Sequence, residues 1–329
     1  MGLAPMSKSS WSRKLWPLAL LTRMLAGCVT SEAQADSNTE LLSSGEVMLF
    51  GKWAVGCDNM RSCTAIVPLT EPSVIEPPYY LQMRYSAVFS SSDSFVIMRD
   101  GAKVTELTPE AIVVLKQGLF NENGADMVDL VENWIHFEVP RDGFADVMTV
   151  LEEWRSVPPR QIESTIPVTP LPAVRIDKPV IHPVLRGIAK RCPKGHMGSS
   201  MQAWRLVGGA TLWRAACGDE GLNAASFWAV SGPQGAPPSF LTFEDGDTQA
   251  QPFNSWFDES TGYLRMVHYF GHWQSFADDC GIYRAYAWGQ GEMKLVEKRY
   301  MPTCGTGIGP EGWIITYRAP VLDGPDSGP

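Results

Sequence analysis

The segment "EVMLFGKWAVGCDNMRSCTAIVPL", residues 46–69, decides the fold. Two strand-like runs flank "DNMRS", where Asp58 and Asn59 favour a turn, so the segment predicts a β-hairpin clipped by Cys57 and Cys63. Downstream, "YYLQMRYSAVF" (79–89) and "SFVIMRDGAKVTEL" (94–107) continue the strand pattern, and Asp100-Gly101 is a hairpin turn signal. Two helices interrupt the strands. "TPEAIVVLKQG" (108–118) offers Thr108 as N-cap, Pro109 at the first helical position and Gly118 as the stop. "RDGFADVMTVLEEWRSVPP" (141–159) sets Phe144, Val147, Met148, Leu151 and Trp154 on one stripe and ends at Pro158. Between them "WIHFEVP" (134–140) alternates as a strand.

From Val157 to Pro183 seven prolines leave little room for regular structure, and the stretch reads as a semi-rigid spacer. Beyond it, "ATLWRAAC", "SFWAVSG", "SFLTFEDG", "GYLRMVHYF", "YRAYAWGQG", "MKLVEKRY" and "GWIITYR" are short strand-like runs separated by Gly, Asn or Asp turns. The expected fold class is mainly β with a few helices (α+β), as two antiparallel-sheet modules joined by a Pro-rich linker. A first module spans residues 46–156, the linker 157–184, a second, aromatic-rich module 185–320 and a disordered tail 321–329. At 329 residues and 44% apolar content the chain is long enough for two cores.

Upstream, Lys8, Arg13 and Lys14 precede "LWPLALL" (15–21), an apolar run too short to span a bilayer, so residues 1–27 read as a signal peptide. Two endings fit. "LAGC", Leu25 to Cys28, resembles a bacterial lipobox with Cys28 as the acylated residue, whereas "AQAD" resembles an ordinary cleavage site after Ala35. On the first ending, residues 28–45 are a tether from a lipidated cysteine, and Val29, not an aspartate, favours the outer membrane by the same resemblance. On the second, the protein is soluble in the periplasm. Either ending exports the chain and leaves Cys57, Cys63, Cys192, Cys217, Cys280 and Cys304 in an oxidising compartment. Six cysteines allow 15 pairings. Proximity favours Cys57–Cys63, Cys192–Cys217 and Cys280–Cys304.

The formal charge is −9, spread along the chain, which argues against nucleic acid and against docking on anionic lipid; membrane contact is expected through the lipid anchor alone. No C-x-x-C occurs, so neither a zinc ribbon nor a thioredoxin-like site is supported.

The pieces "FGKWAVGCDNMRSCTA" (50–65), "TPEAIVVLKQGLF" (108–120), "EVPRDGFADVMTVLEEW" (138–154), the proline stretch, "WRLVGGATLWRAACGDEGLNAAS" (204–226), "ADDCGIYRAYAWGQGEMKLVEKRYMPTCG" (277–305) and "GWIITYR" follow one another in an order that resembles the bacterial domain-of-unknown-function 1176 family over residues 50–318. The first module also resembles the invasion-associated locus B family, through a tryptophan before the first cysteine and a helix beginning near Gly143-Phe144. The resemblance implies an exported, disulfide-bearing protein and lends no catalytic residues. The chain departs from the family at "HYFGHWQSFADDCG", where a glycine- and arginine-containing turn is expected, so no role tied to that turn carries over.

Candidate sites are few. His268, His272 and Asp279, with Asp278 nearby, are weak metal-ligand candidates; the alternative is a part-buried His268 sharing a strand face with Leu264, Met266 and Phe270. Cys192 and His196 would join such a site only with Cys192 reduced. No G-x-S-x-G occurs, and Ser231 reads as a loop residue. Glu152-Glu153 reads as a solvated helix face and Asp245 with Asp247 as a hairpin turn. Tryptophan density in the second module points to core packing for most members, with Trp256 and Trp273, near polar turns, as the candidates for ligand contact. The sequence thus favours a non-enzymatic envelope protein without a cofactor, whose partner is an envelope protein or a glycan. Its alternatives are a peptidoglycan-binding protein or inhibitor of a wall-degrading enzyme, and a metal-dependent hydrolase.

Overall fold

From Trp53 to Cys57 every residue is buried, a pattern that a strand shows when both of its faces are covered. The computed structural model describes residues 45–69, 79–86, 94–99, 101–121, 123–132, 135–156, 173–187, 201–217, 223–233, 236–245, 248–250, 252–270, 279–289 and 291–320. The first sheet is a meander of β1 (Val47–Phe50), β2 (Trp53–Cys57), β3 (Ser62–Pro68), β4 (Tyr79–Ser86), β5 (Ser94–Arg99) and β6 (Ala102–Glu106), antiparallel throughout and in sequence order. The opening hairpin is as the sequence predicts: Cys57 and Cys63 are cross-strand partners and form a disulfide. Its turn is held by Asp58, whose Oδ1 accepts hydrogen bonds from the backbone N–H groups of Met60 at 2.9 Å and Ser62 at 2.8 Å.

Helix α1 (Pro109–Phe120) starts as expected, with the Thr108 hydroxyl accepting from the Ala111 N–H. It does not stop at Gly118. A Cβ at that position would sit 2.7 Å from Val128 Cγ1, so Gly118 serves the close approach of β7 (Met127–Glu132), and the helix runs two residues further. A second hairpin pairs β7 with β8 (Ile135–Pro140), and α2 (Phe144–Ser156) follows. Phe144, Val147, Val150 and Leu151 of α2 are buried. With Leu115 and Leu119 of α1 and Phe137 of β8 they cover one face of the first sheet, against Trp53, Val55, Ile97 and Phe95. The Trp53 indole N–H donates to the Pro140 carbonyl at 2.9 Å.

The stretch read as a spacer contributes structure of its own. β9 (Ala173–Arg175) pairs with β10 (Met201–Leu206), and a helical turn α3 (Pro183–Arg186) follows β9. The second module therefore begins before residue 185: β9 adds at a sheet edge, where a proline-flanked segment is tolerated. The sheet continues through β11 (Thr211–Ala216), β12 (Ser226–Ser231) and β13 (Ser239–Phe240). Ser231 ends β12 and is not in a loop; its hydroxyl accepts from the Trp213 indole at 3.0 Å. A short hairpin, β14 (Phe243–Asp245) and β15 (Thr248–Ala250), leads to the third large sheet, β16 (Trp256–Asp258), β17 (Tyr263–Tyr269), β18 (Gly281–Gly289), β19 (Glu292–Met301) and β20 (Ile314–Arg318), again in sequence order.

The two modules share a core. Alternate residues of the first sheet, Ala54, Ile66, Tyr80, Val96 and Met98, pack against Val267, Tyr283, Ala285, Val296, Trp313 and Ile314 of the β16–β20 sheet and the turn before β20. The opposite face of the β16–β20 sheet carries Leu264, Met266, Tyr286 and Trp288, packed on Trp204, Leu212 and Trp228 of the β9–β13 sheet. That sheet's far side meets Leu185 of α3 with Ile176 and Ile181. Three sheets are stacked face to face, with helices on the outside of the first, so the middle sheet is apolar on both sides.

Candidate binding cleft

Strand residues alternate between faces, so the row Tyr263, Arg265, Val267 on β17 and the row Tyr80, Gln82, Arg84 on β4 run along the two walls of the same inter-sheet space. Where Val267 and Tyr80 stand, that space is the apolar core. One step along, it changes character. A cavity of about 1020 Å³ opens between the first sheet and the β16–β20 sheet, lined by Gln82, Arg84, Tyr263, Arg265, Tyr283, Glu297, Arg299 and Arg318 among others. Charged side chains between two packed sheets are costly unless they are paired and hydrogen-bonded, and here they are held in a network.

Arg265 is the centre of that network. Its Nη1 donates to the Tyr283 hydroxyl at 3.0 Å and its Nη2 lies 2.9 Å from Asp258 Oδ2. The guanidinium also sits 6.0 Å from the centroid of the Tyr263 ring. Its Nε is buried and has no hydrogen-bond partner among the described residues. Arg299, the cross-strand partner of Tyr283, places its guanidinium 5.3 Å over the Tyr283 ring. It donates from Nε to Glu297 at 2.8 Å and from Nη1 to the carbonyls of Pro310 and Glu311. On the facing wall Arg84 Nε donates to Gln82 Oε1 at 2.8 Å, with Gln82 only 5% exposed. At the mouth, Arg318 Nε lies 3.4 Å from Asp58 Oδ2. The side chains of Arg265 and Arg299 retain 28% and 20% of their exposure, so solvent reaches them.

The electrostatics follow from these contacts. Burial pushes the Asp258 carboxyl up, but hydrogen bonds from Ser260 and Thr261 and the Arg265 charge outweigh it and hold it at about 2. Burial raises the Tyr283 hydroxyl, with Arg265 opposing and Glu297 adding to it. Tyr263 is likewise raised, by burial first and Glu297 second. Both phenols are neutral donors or acceptors at neutral pH, and the guanidiniums are fixed forks. The arrangement suits holding a polar molecule by directed hydrogen bonds.

The residues singled out in the sequence lie elsewhere. His268 is packed between the rings of Phe253 at 5.0 Å and Phe270 at 5.8 Å, and burial, then the Arg284 charge, lowers its imidazole below the ordinary value. Asp279 is 3% exposed, and its carboxylate accepts from Gly305 N at 2.9 Å, from the Thr306 hydroxyl and from Gly307 N. It holds the 305–307 loop. His272 and Asp278 lie outside the described residues, as do Cys192, His196, Trp273 and Cys28. Among the described residues no group of three His, Cys, Asp or Glu is placed to hold a metal.

The tryptophans divide as core packing expects. Trp204, Trp213, Trp228, Trp288 and Trp313 are buried. Four of them donate inside the protein: Trp204 to Glu259, Trp213 to Ser231, Trp228 to Ser255 and Trp313 to the Ile308 carbonyl. Trp256, on the edge strand β16, is 39% exposed. Of the cysteines, Cys57–Cys63 and Cys280–Cys304 are bridged, and Cys217 is disulfide-bonded as well.

The family described as Protein of unknown function (DUF1176) matches residues 154–320. The match takes in the β16–β20 wall of the cleft, with Arg265, Tyr283, Glu297 and Arg299; Gln82 and Arg84 lie outside it. The resemblance of the first module to the invasion-associated locus B family is not shown by these comparisons. No curated protein and no solved structure matches the chain.

Proposed function

Because the chain belongs to the DUF1176 family of proteins of unknown function, which lends it no activity, we propose from its own geometry a non-enzymatic, exported cell-envelope protein that binds a polar ligand in the cleft between its first and middle sheets. One observation carries the reading: the inter-sheet space, apolar around Val267 and Tyr80, becomes a cavity of about 1020 Å³ walled by arginines, acids and tyrosines. A volume at the upper end of the roughly 300–1,000 Å³ typical of small-molecule sites, with rigid donors already oriented, fits a binding site better than a packing fault.

Export is supported by five disulfide-bonded cysteines, since such bonds persist in oxidising compartments, and by the basic-then-apolar N-terminus. The same reading places Cys28 under lipid, the tether at 28–45, and the protein at the outer membrane. It also pairs Cys192 with Cys217. A second reading, contact with peptidoglycan or another glycan, has one observation in its favour, the exposed indole of Trp256 on an edge strand.

Site-specific photo-crosslinking in intact cells separates the two. A crosslinker placed at Tyr263 is expected to capture a small molecule, whereas one at Trp256 is expected to capture none. Adducts at Trp256 alone would favour the glycan reading and remove the case for the cleft.

A further inference from the structure

The geometry points to a carboxylate as the group that the cleft recognises, with Arg84 as its anchor; this rests on the cleft being the binding site. Among the described residues, three of the four guanidiniums on its walls already face a carboxylate: Arg265 meets Asp258 at 2.9 Å, Arg299 meets Glu297 at 2.8 Å and Arg318 meets Asp58 at 3.4 Å. Arg84 differs. Its hydrogen bond goes from Nε to the neutral amide of Gln82, and its two terminal nitrogens have no partner among the described residues. Glu106, whose charge Arg84 feels, is bound to Lys103 at 2.5 Å.

The consequence is chemical. Gln82 is buried and fixes the Nε edge of Arg84, so the guanidinium presents its remaining N–H groups as a planar fork, which matches the two oxygens of a carboxylate. On the facing wall the cavity is lined by Tyr263, Arg265 and Tyr283, with the Arg265 charge already matched by Asp258. A ligand with a carboxylate at the Arg84 end and a further polar group toward these side chains spans both walls. Small organic acids and acidic sugars share that chemistry.

Isothermal titration of the oxidised full chain with succinate and glucuronate, against their uncharged counterparts succinamide and glucose, tests the assignment. Saturable binding of at least one acid is expected, about tenfold or more tighter than its uncharged counterpart, and weakened about ten- to a hundredfold by Arg84→Gln. Arg84→Lys, which keeps the charge but loses the fork, should recover only part of the affinity. Arg84 is exposed but its Nε holds the buried Gln82 amide, so a melting temperature lowered by no more than a few degrees, with one cooperative transition, is expected of both variants and shows that they fold. Succinate binding without glucuronate identifies a free acid; the reverse identifies an acidic sugar. Equal binding of charged and uncharged probes, abolished by Arg265→Gln, would overturn the carboxylate and leave the cleft standing. Binding indifferent to both Arg84→Gln and Arg265→Gln would overturn the carboxylate and the cleft together, and no binding of either acid would overturn the carboxylate alone.

Discussion

Asn59 and Arg318, 259 residues apart, are joined by two hydrogen bonds: Asn59 Nδ2 donates to the Arg318 carbonyl at 2.9 Å, and the Arg318 N–H donates to Asn59 Oδ1 at 2.7 Å. The first residue sits in the disulfide-closed turn that opens the fold and the second ends its last strand. Together with the shared apolar layer, this ties the two modules into one cooperative structure. Asn59→Ala should lower stability by about 1–2 kcal/mol, and chemical denaturation should still show one transition. Two well-separated transitions would show that the modules unfold independently.

Gly143 admits no side chain. Its φ is +88°, and a Cβ there would lie 1.9 Å from the Phe50 carbonyl oxygen, just before α2 enters the core with Phe144. Gly143→Ala should cost about 2–4 kcal/mol, read as a fall in melting temperature. A melting temperature within a degree or so of the parent would contradict that geometry.

The two bridges should differ in worth. Cys57–Cys63 closes a separation of 6 residues and Cys280–Cys304 one of 24. On the chain-entropy account, removing the first costs about 2 kcal/mol and removing the second about 3.5. Denaturation of the paired serine variants gives the order. A non-reducing peptide map should also link the peptides of Cys192 and Cys217; a free Cys192 thiol would contradict that pairing.

Asp258 sets an acid limit on the cleft. Its carboxyl is held at about 2, below the ordinary 3.8, so the folded state binds its proton less readily than the unfolded chain. Its contribution to stability is therefore full above the unfolded value and is lost as pH falls from about 4 to about 2. Asp258→Asn should flatten the stability profile across that interval and leave the slope above pH 5 unchanged. An unaltered acid slope would contradict the hold that Ser260, Thr261 and Arg265 together exert on this carboxylate.

Much of this fold is legible along the chain, because its contacts are mostly between consecutive strands. The cysteine-clipped hairpin, the Thr108 cap and the runs that became β11, β12 and β17 to β20 each carry a local signal. The stacking of the sheets is carried by a subtler one. The unbroken apolar run Trp53–Cys57 reads equally as a strand covered on one side or on both, and only the packing of Ala54 and Gly56 toward Ile314 decides. The cleft is harder still to read. Arg84 and Arg265 are single basic charges in strands of mostly apolar residues, and Arg299 follows Glu297 and Lys298 in a charged run; all three are indistinguishable in sequence from solvent-facing ones. Their meeting depends on two sheets from opposite ends of the chain. The histidines and tryptophans drew attention by residue type, yet His268 is half-buried between two phenylalanine rings and most of the described tryptophans are core.

Native mass spectrometry of the oxidised chain, isolated from its own envelope without detergent exchange or dialysis, tests the central claim most directly. The account expects a small polar molecule bound one to one, and its loss from the Arg265→Gln variant isolated in the same way. A chain that carries no small molecule, or one that carries it undiminished in that variant, would contradict the assignment of the inter-sheet cleft as the binding site.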